Sequence, residues 1–297
     1  MTPRGACHGL RFSTGCRKKK LSGVVSSANF EADQIICDAL GVSRAWLHAH
    51  SEAAVSAEKG RAIMEMTDRR VSGEPLAYVL GSALFCGRTF ITAPGVLIPR
   101  PETEIMTEIA RGLMERTPPG GEKCFADWCT GSGCIAITLV LENPGWHCWA
   151  SDKSAEAIEI ARRNAAIHGV EDRINFILTD SPSDARQIIP PRSLDFIVSN
   201  PPYIPTGDIP YLEDQVALYE PRAALDGGAD GLDIYRMLLS ELPVFMKPGA
   251  ELLLETGGAK QADDVARLGE GSFELARKFE DHREISRFVL LKIPRSV

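Results

Sequence analysis

The 297-residue sequence has no apolar run approaching the roughly 20 residues that a membrane-crossing helix needs. It has no surplus of positive charge. Lys and Arg number 33 against 40 Asp and Glu, a formal charge of −7, with a pI near 5.5. A general nucleic-acid binder is expected to be basic on at least one face, so stable nucleic-acid binding is not expected. No C-x-x-C pair occurs among the eight cysteines. Cys124, Cys129 and Cys134 are five apart, which is not zinc-ligand spacing, and the six histidines are dispersed. No metal site is expected, and reduced thiols in a cytoplasmic protein are the expectation. There are no internal repeats and no low-complexity tracts. The start carries Arg17-Lys18-Lys19-Lys20, but no long apolar stretch follows it, so a secretory signal is not expected.

What is present suffices for one large domain and one small one. Hydrophobic residues make up 44% of the chain, enough for a sizeable core. Residues 1–25 read as a basic, disordered tail. Residues 26–82 carry helical patterns through Ile35, Ile36 and Leu40, then Ala45 and Leu47, then Ala62, Ile63, Met64 and Met66. This unit is expected to recognise a protein partner, or else simply to cap a cleft. Residues 83–98 read as a connecting hairpin and 99–297 as a catalytic domain.

Leu194 to Ser199 is an apolar run that reads as a buried strand, and Asn200-Pro201-Pro202-Tyr203 is the loop at its end. Ligands of open α/β sheets bind outside the carboxyl ends of strands. Two prolines fix the backbone. An Asn oxygen and a Pro carbonyl can both accept from one planar NH2 group, and a Tyr ring can pack on its flat face. Taken alone, the same tetrapeptide is an ordinary turn.

A second motif stands upstream. Phe125-Ala126-Asp127-Trp128 runs into Cys129-Thr130-Gly131-Ser132-Gly133 and then a helix-like pattern through Ile135, Ile137, Leu139 and Val140. Gly131 and Gly133 let the backbone approach a ligand where a Cβ would clash. The third glycine of a dinucleotide fingerprint is missing, and Ala136 stands there instead. About 20 residues further on, the strand-like run His147 to Ser151 ends at Asp152, placed either to accept from ribose hydroxyls or to cap the helix beginning near Ser154. A third strand, Ile174 to Thr179, ends at Asp180, either an adenine acceptor or a solvated loop acid.

The order of these strand ends resembles that of class I S-adenosylmethionine-dependent methyltransferases acting on a planar nitrogen, adenine N6 or glutamine N5. Further stretches narrow the match: Gly73-Glu74-Pro75-Leu76-Ala77-Tyr78-Val79-Leu80-Gly81, Ile98-Pro99-Arg100-Pro101-Glu102-Thr103-Glu104, Tyr219-Glu220-Pro221-Arg222 through Leu232, and Leu252-Leu253-Leu254-Glu255-Thr256-Gly257. From about Glu31 onward the chain is similar to the HemK/PrmC family, the N5-glutamine methyltransferases of peptide chain release factors.

The resemblance implies an α/β fold, a class I (Rossmann-like) methyltransferase domain behind a small N-terminal helical domain. The implied cofactor is S-adenosyl-L-methionine, held by Cys129, Thr130, Gly131, Ser132, Gly133, Asp152, Asp180, Ser181 and Asn200. The implied substrate is the Gln of the Gly-Gly-Gln loop of class I release factors, held by Asn200, Pro201, Pro202 and Tyr203. Arg100 and Glu102 either order the cleft, touch the cofactor or form a structural ion pair at the domain junction, Glu220 and Arg222 order their loop or contact the release factor, and Glu255, at a strand end, is expected to be structural. The chain departs from the family at Cys129, where Gly is usual, and at Ser181, where an aromatic residue is common. The alternatives are an adenine-N6 methyltransferase, a glutamine methyltransferase acting on a ribosomal protein, and a non-catalytic scaffold.

Overall fold

The computed structural model describes residues 27–117 and 122–295. The basic tail over 1–25 lies outside the described residues. The chain divides into two compact units, one of residues up to Gly81 together with Asp214–Tyr219, the other of Ser82–Glu213 and Glu220–Val297.

The first unit is helical: α1 (Ala28–Leu40), α2 (Arg44–Ala49), α3 (Ala57–Val71) and α4 (Leu76–Leu80). Ser43 and Ser56 cap α2 and α3, accepting from Trp46 N and Lys59 N, and Gly41 in the left-handed region ends α1. Ala32, Ile35, Ile36, Leu47, Ile63 and Val79 form its core. Met64, one step round the helix from Ile63, is 52% exposed. The buried Arg70 guanidinium binds Glu31 across 39 residues (Nε to Oε2, 2.6 Å) and also donates to Glu74 O. The short helix α8 (Asp214–Tyr219) belongs to this unit, and the Tyr219 hydroxyl donates to Ser72 O at 2.8 Å.

The second unit opens with a hairpin, β1 (Ser82–Phe85) and β2 (Arg88–Ile91). Its two-residue turn, Cys86-Gly87, has positive φ at both positions, the twist that suits a tight hairpin. Then come α5 (Pro101–Glu115), β3 (Lys123–Trp128), α6 (Cys134–Glu142), β4 (Trp146–Asp152), α7 (Ala155–His168), β5 (Ile174–Leu178) and β6 (Leu194–Ser199). After α8 follow α9 (Asp233–Glu241), β7 (Met246–Glu255), α10 (Ala259–Leu268), β8 (Glu274–Glu280) and β9 (Ser286–Lys292). The helix pattern from Leu232 toward Phe245 ends early as an α-helix. Pro243 cannot donate to a helical ladder, and Leu242–Val244 is a 3-10 turn.

Seven strands form one sheet in the order β5-β4-β3-β6-β7-β9-β8. The first five are parallel, and β9 inserts antiparallel between β7 and β8. Side-chain alternation splits the core between the two faces. Phe125, Phe196, Val198 and Leu253 join one cluster with Met106, Ala110, Ile135 and Leu139, so α5 and α6 cover that face. Ala126, Ile197, Leu252 and Leu254 join the other with Tyr235, Leu238, Ala262 and Val265 from α9 and α10. The chain runs outward from β3 through β4 to β5, then returns to the far side of β3 as β6. That reversal leaves a crevice between the carboxyl ends of β3 and β6, the binding position of doubly wound sheets.

Candidate active site

A cavity of about 570 Å³ opens at this switch point. Its size falls in the range of small-molecule sites. Cys129, Thr130, Gly131 and Ser132 after β3, Asp152 at the end of β4, Thr179 and Asp180 after β5, and Asn200 and Pro202 after β6 all line it. Four strand ends separated in sequence thus meet at one place.

The glycine loop is held from below by Asp127. Its Oδ2 accepts from the Thr130 hydroxyl (2.6 Å) and from Ala136 N (3.1 Å) in the first turn of α6. Asp127 is fully buried, its Oδ1 has no partner among the described residues, and burial pushes its carboxyl up to about 7. Asn164 on α7, also fully buried, donates to Ser132 O and Ile91 O and accepts from Ile91 N, tying the loop to the hairpin.

The two glycines divide the work in a way their sequence pattern does not reveal. A Cβ on Gly131 would meet no protein atom within 4 Å, so the open side of this residue faces the cavity. At Gly133 the expected clash is with the protein. A Cβ there would sit 3.1 Å from Ala161 Cβ and Ile137 Cδ1, and φ is +78°, so this glycine serves helix packing. Cys129, with φ at +64°, takes a left-handed conformation that suits the family's usual glycine. Burial pushes its thiol well up, and it is not a thiolate nucleophile.

Asp152 Oδ2 accepts from Gly131 N and Oδ1 from Ser154 N, both at 2.9 Å. Ser154 caps α7 through its own hydroxyl, so that role does not fall to Asp152. Each Asp152 oxygen retains acceptor capacity at the cavity wall. Burial raises its carboxyl above the usual range. A glycine loop open at Gly131, an acid at the tip of the next strand and a second acid at Asp180 fit an adenosyl group with its ribose hydroxyls.

Ser181 is not brought to the cavity. Its hydroxyl donates to Asp184 Oδ2 at 3.0 Å as the chain enters a 3-10 turn. Pro201 and Tyr203 are also absent from the lining. Tyr203 is half-buried beside Gly257, where a Cβ would lie 3.3 Å from its ring. The Gln261 amide fixes the backbone here. Its Nε2 donates to Tyr203 O and Gly231 O, and its Oε1 accepts from Gly257 N.

Asn200 Nδ2 donates to Thr103 Oγ1 at 3.0 Å, leaving Oδ1 without a protein partner among the described residues. Thr103 Oγ1 donates in turn to Glu255 Oε2 at 2.9 Å. Arg100 pairs with Glu220, whose side chain is 1% exposed and whose Oε2 also accepts from Ile98 N. For Glu220 the loop-ordering role expected from the sequence agrees with these contacts, whereas Thr103 was assigned no role and Glu255 only a structural one. Asn164 and Gln261 were missed outright. The one signal for Asn164 is a polar residue on the apolar side of a helix.

A family model described as PrmC N-terminal domain matches residues 18–81, and one described as Methyltransferase small domain matches residues 89–213. Among curated proteins, the release factor glutamine methyltransferase of Geobacter sulfurreducens is 38% identical over 233 residues, 78% of each chain. That of Bacillus cereus is 39% identical over 242 residues, covering 80% of this chain and 83% of its own. That of Chlorobaculum tepidum is 35% identical over 268 residues, covering 89% of this chain and 90% of its own. With the strand-end geometry, these likenesses establish that the chain belongs to the release factor glutamine methyltransferase family.

Proposed function

We infer that this protein is an enzyme that transfers a methyl group from S-adenosylmethionine to the side-chain amide nitrogen (N5) of the glutamine in the Gly-Gly-Gln loop of class I peptide chain release factors. The observation that carries this reading is the Asn200 side chain. It is anchored through Nδ2, and its acceptor oxygen is left over beside a cavity fit for the cofactor.

When bound, S-adenosylmethionine supplies an electrophilic methyl on a sulfonium, so neither metal nor covalent enzyme intermediate is required. Gly131 and Asp152 hold the adenosyl portion, the first by backbone approach and the second by accepting from ribose. The acceptor amide is a poor nucleophile because its lone pair is delocalised into its carbonyl. Asn200 Oδ1 and the Pro201 carbonyl accept its two N–H groups and fix its plane. They also stabilise the positive charge that grows on nitrogen during transfer. Pro201 and Pro202 keep these acceptors in place with little loss of chain freedom, which is the ordering term that brings nitrogen in line for attack. The half-buried Tyr203 follows them, and Gln261, donating to its backbone carbonyl, supports the loop.

The small glycine flanks of the acceptor loop suit entry into a narrow cleft. The partner is a protein, the release factor, and the setting is cytoplasmic. The acidic balance favours this partner over an adenine in nucleic acid, because a base-flipping enzyme needs a basic target-recognition region. Methyl transfer to a purified class I release factor, absent from its Gln→Ala variant, tests the reading.

A further inference from the structure

We propose that Thr103 and Glu255 are positioning residues that set the polarity of the Asn200 amide, so that its oxygen and not its NH2 group meets the acceptor glutamine. This rests on the reading of Asn200 given above and goes beyond it, because Glu255 on sequence grounds is a structural strand end.

An Asn side chain is nearly symmetric in shape. Turning it over exchanges an acceptor for a donor at the same place. Facing an acceptor glutamine, the wrong orientation sets one NH2 against another. Something must decide between the two, and the chain of hydrogen bonds behind Asn200 does so. Thr103 is 3% exposed and Glu255 1% exposed. A threonine hydroxyl has one proton. When that proton is given to the Glu255 carboxylate, Thr103 Oγ1 can only accept. Only the Nδ2 side of Asn200 then satisfies it. Oδ1 is left facing away from Thr103.

Two of the three residues lie on regular elements and the third directly follows one. Thr103 lies in the first turn of α5, and Glu255 ends β7. Asn200 follows β6, which pairs with β7 in the register Ser199 to Leu254. The Tyr235 hydroxyl on α9 donates to Glu255 O and holds the strand end.

The same geometry makes the polarity depend on a proton. Burial is the largest influence on the Glu255 carboxyl and pushes it up to about 7, the Thr103 hydrogen bond opposing. The charged and titratable groups facing it are Glu102 on α5, Arg100 before α5, Arg287 on β9, Tyr203 after β6 and Tyr235 on α9. Glu102 opposes its ionisation, and the two arginines favour it. Below about pH 7 the carboxyl is protonated and donates to Thr103 Oγ1. The Thr103 proton is then free to point at Asn200, which can be satisfied by turning Oδ1 inward.

The experiment uses the full chain with a purified class I release factor, comparing wild type, Thr103→Val, Thr103→Ser and Glu255→Gln. Thr103→Val is expected to lower kcat at pH 8 by about 10- to 100-fold, with the affinity for S-adenosylhomocysteine by calorimetry within about twofold. Thr103→Ser restores most of kcat. Wild-type kcat falls as pH drops from 8 to 6, and the Thr103→Val and Glu255→Gln profiles lose that limb. In 15N spectra, the Asn200 side-chain NH2 resonance, assigned with Asn200→Ala, shifts with a midpoint near 7 in wild type and not in Thr103→Val. Wild-type kcat and pH profile in Thr103→Val overturn the proposal. So does a Thr103→Ser variant as slow as Thr103→Val, or a loss of cofactor affinity equal to the loss of kcat. A wild-type enzyme that does not methylate the release factor defeats the functional reading instead. The Asn200 resonance then still decides the relay.

Discussion

The two halves of the crevice are built differently. At the carboxyl ends of β3 to β5, contacts are made largely to backbone: Asp127 binds Ala136 N, and Asp152 binds Gly131 N and Ser154 N. At the ends of β6 and β7 the chain behind the acceptor runs side chain to side chain, Asn200 to Thr103 to Glu255, while Tyr235 and Gln261 hold the backbone beside it. Backbone donors are present whatever the residue. The first half therefore tolerates a departure such as Cys129 at a left-handed position. The second half depends on three particular residue types at three distant positions. Substitutions there are expected to remove chemistry, and substitutions at the cofactor half to weaken binding by degrees.

The sharpest way to break this contrast is Asn200→Ala. Loss of one preorganised acceptor is expected to cost about 100- to 1,000-fold in kcat with cofactor binding largely intact, read by single-turnover kinetics beside calorimetry with S-adenosylhomocysteine. Equal losses in both would erase the division between the halves. Asp152→Ala is expected to do the reverse. It weakens S-adenosylhomocysteine by about 10- to 100-fold, the usual worth of hydrogen bonds to a charged group. Unchanged affinity would remove Asp152 from the ribose site.

The buried acids share a pH signature. Asp127 and Glu255 are both held near 7 in the folded protein, above their ordinary values of 3.8 and 4.5. The folded state therefore keeps protons that the unfolded chain releases. The stability these groups contribute is fully present at low pH and is lost as pH rises through about 7. Asp127→Asn keeps an acceptor for Thr130 and Ala136 N and cannot ionise. Its Tm relative to wild type is expected to rise between pH 6 and pH 8.5. A constant difference would mean that Asp127 is not neutral in the fold. The smallest effect is expected at Cys129. Cys129→Gly relieves the left-handed strain and stabilises by about 1 kcal/mol, measured by urea unfolding, with cofactor affinity little altered.

Much of the cofactor half is readable along the chain, because a strand end and its loop are contiguous. Asp127 to Gly133, Asp152 and Asp180 each announce themselves within about ten residues. The acceptor half is legible only at Asn200. Its partners lie 97 residues before it and, from Thr103, 152 residues on, and nothing local to Glu255 says that its neighbour across the crevice is a hydroxyl. Gln261 and Asn164 escape for the same reason, since their partners are backbone groups of remote loops. Ser181 shows the opposite error. A site position carried over from a family pattern is occupied here by a residue that turns to Asp184 and serves its own loop.

The most direct test of the account is methyl transfer from labelled S-adenosylmethionine to a purified class I release factor, run beside its Gln→Ala variant in the Gly-Gly-Gln loop and unmodified duplex DNA. Label on the wild-type factor alone is the expected result. Label on DNA, or on the Gln→Ala factor as strongly as on the wild type, would contradict it.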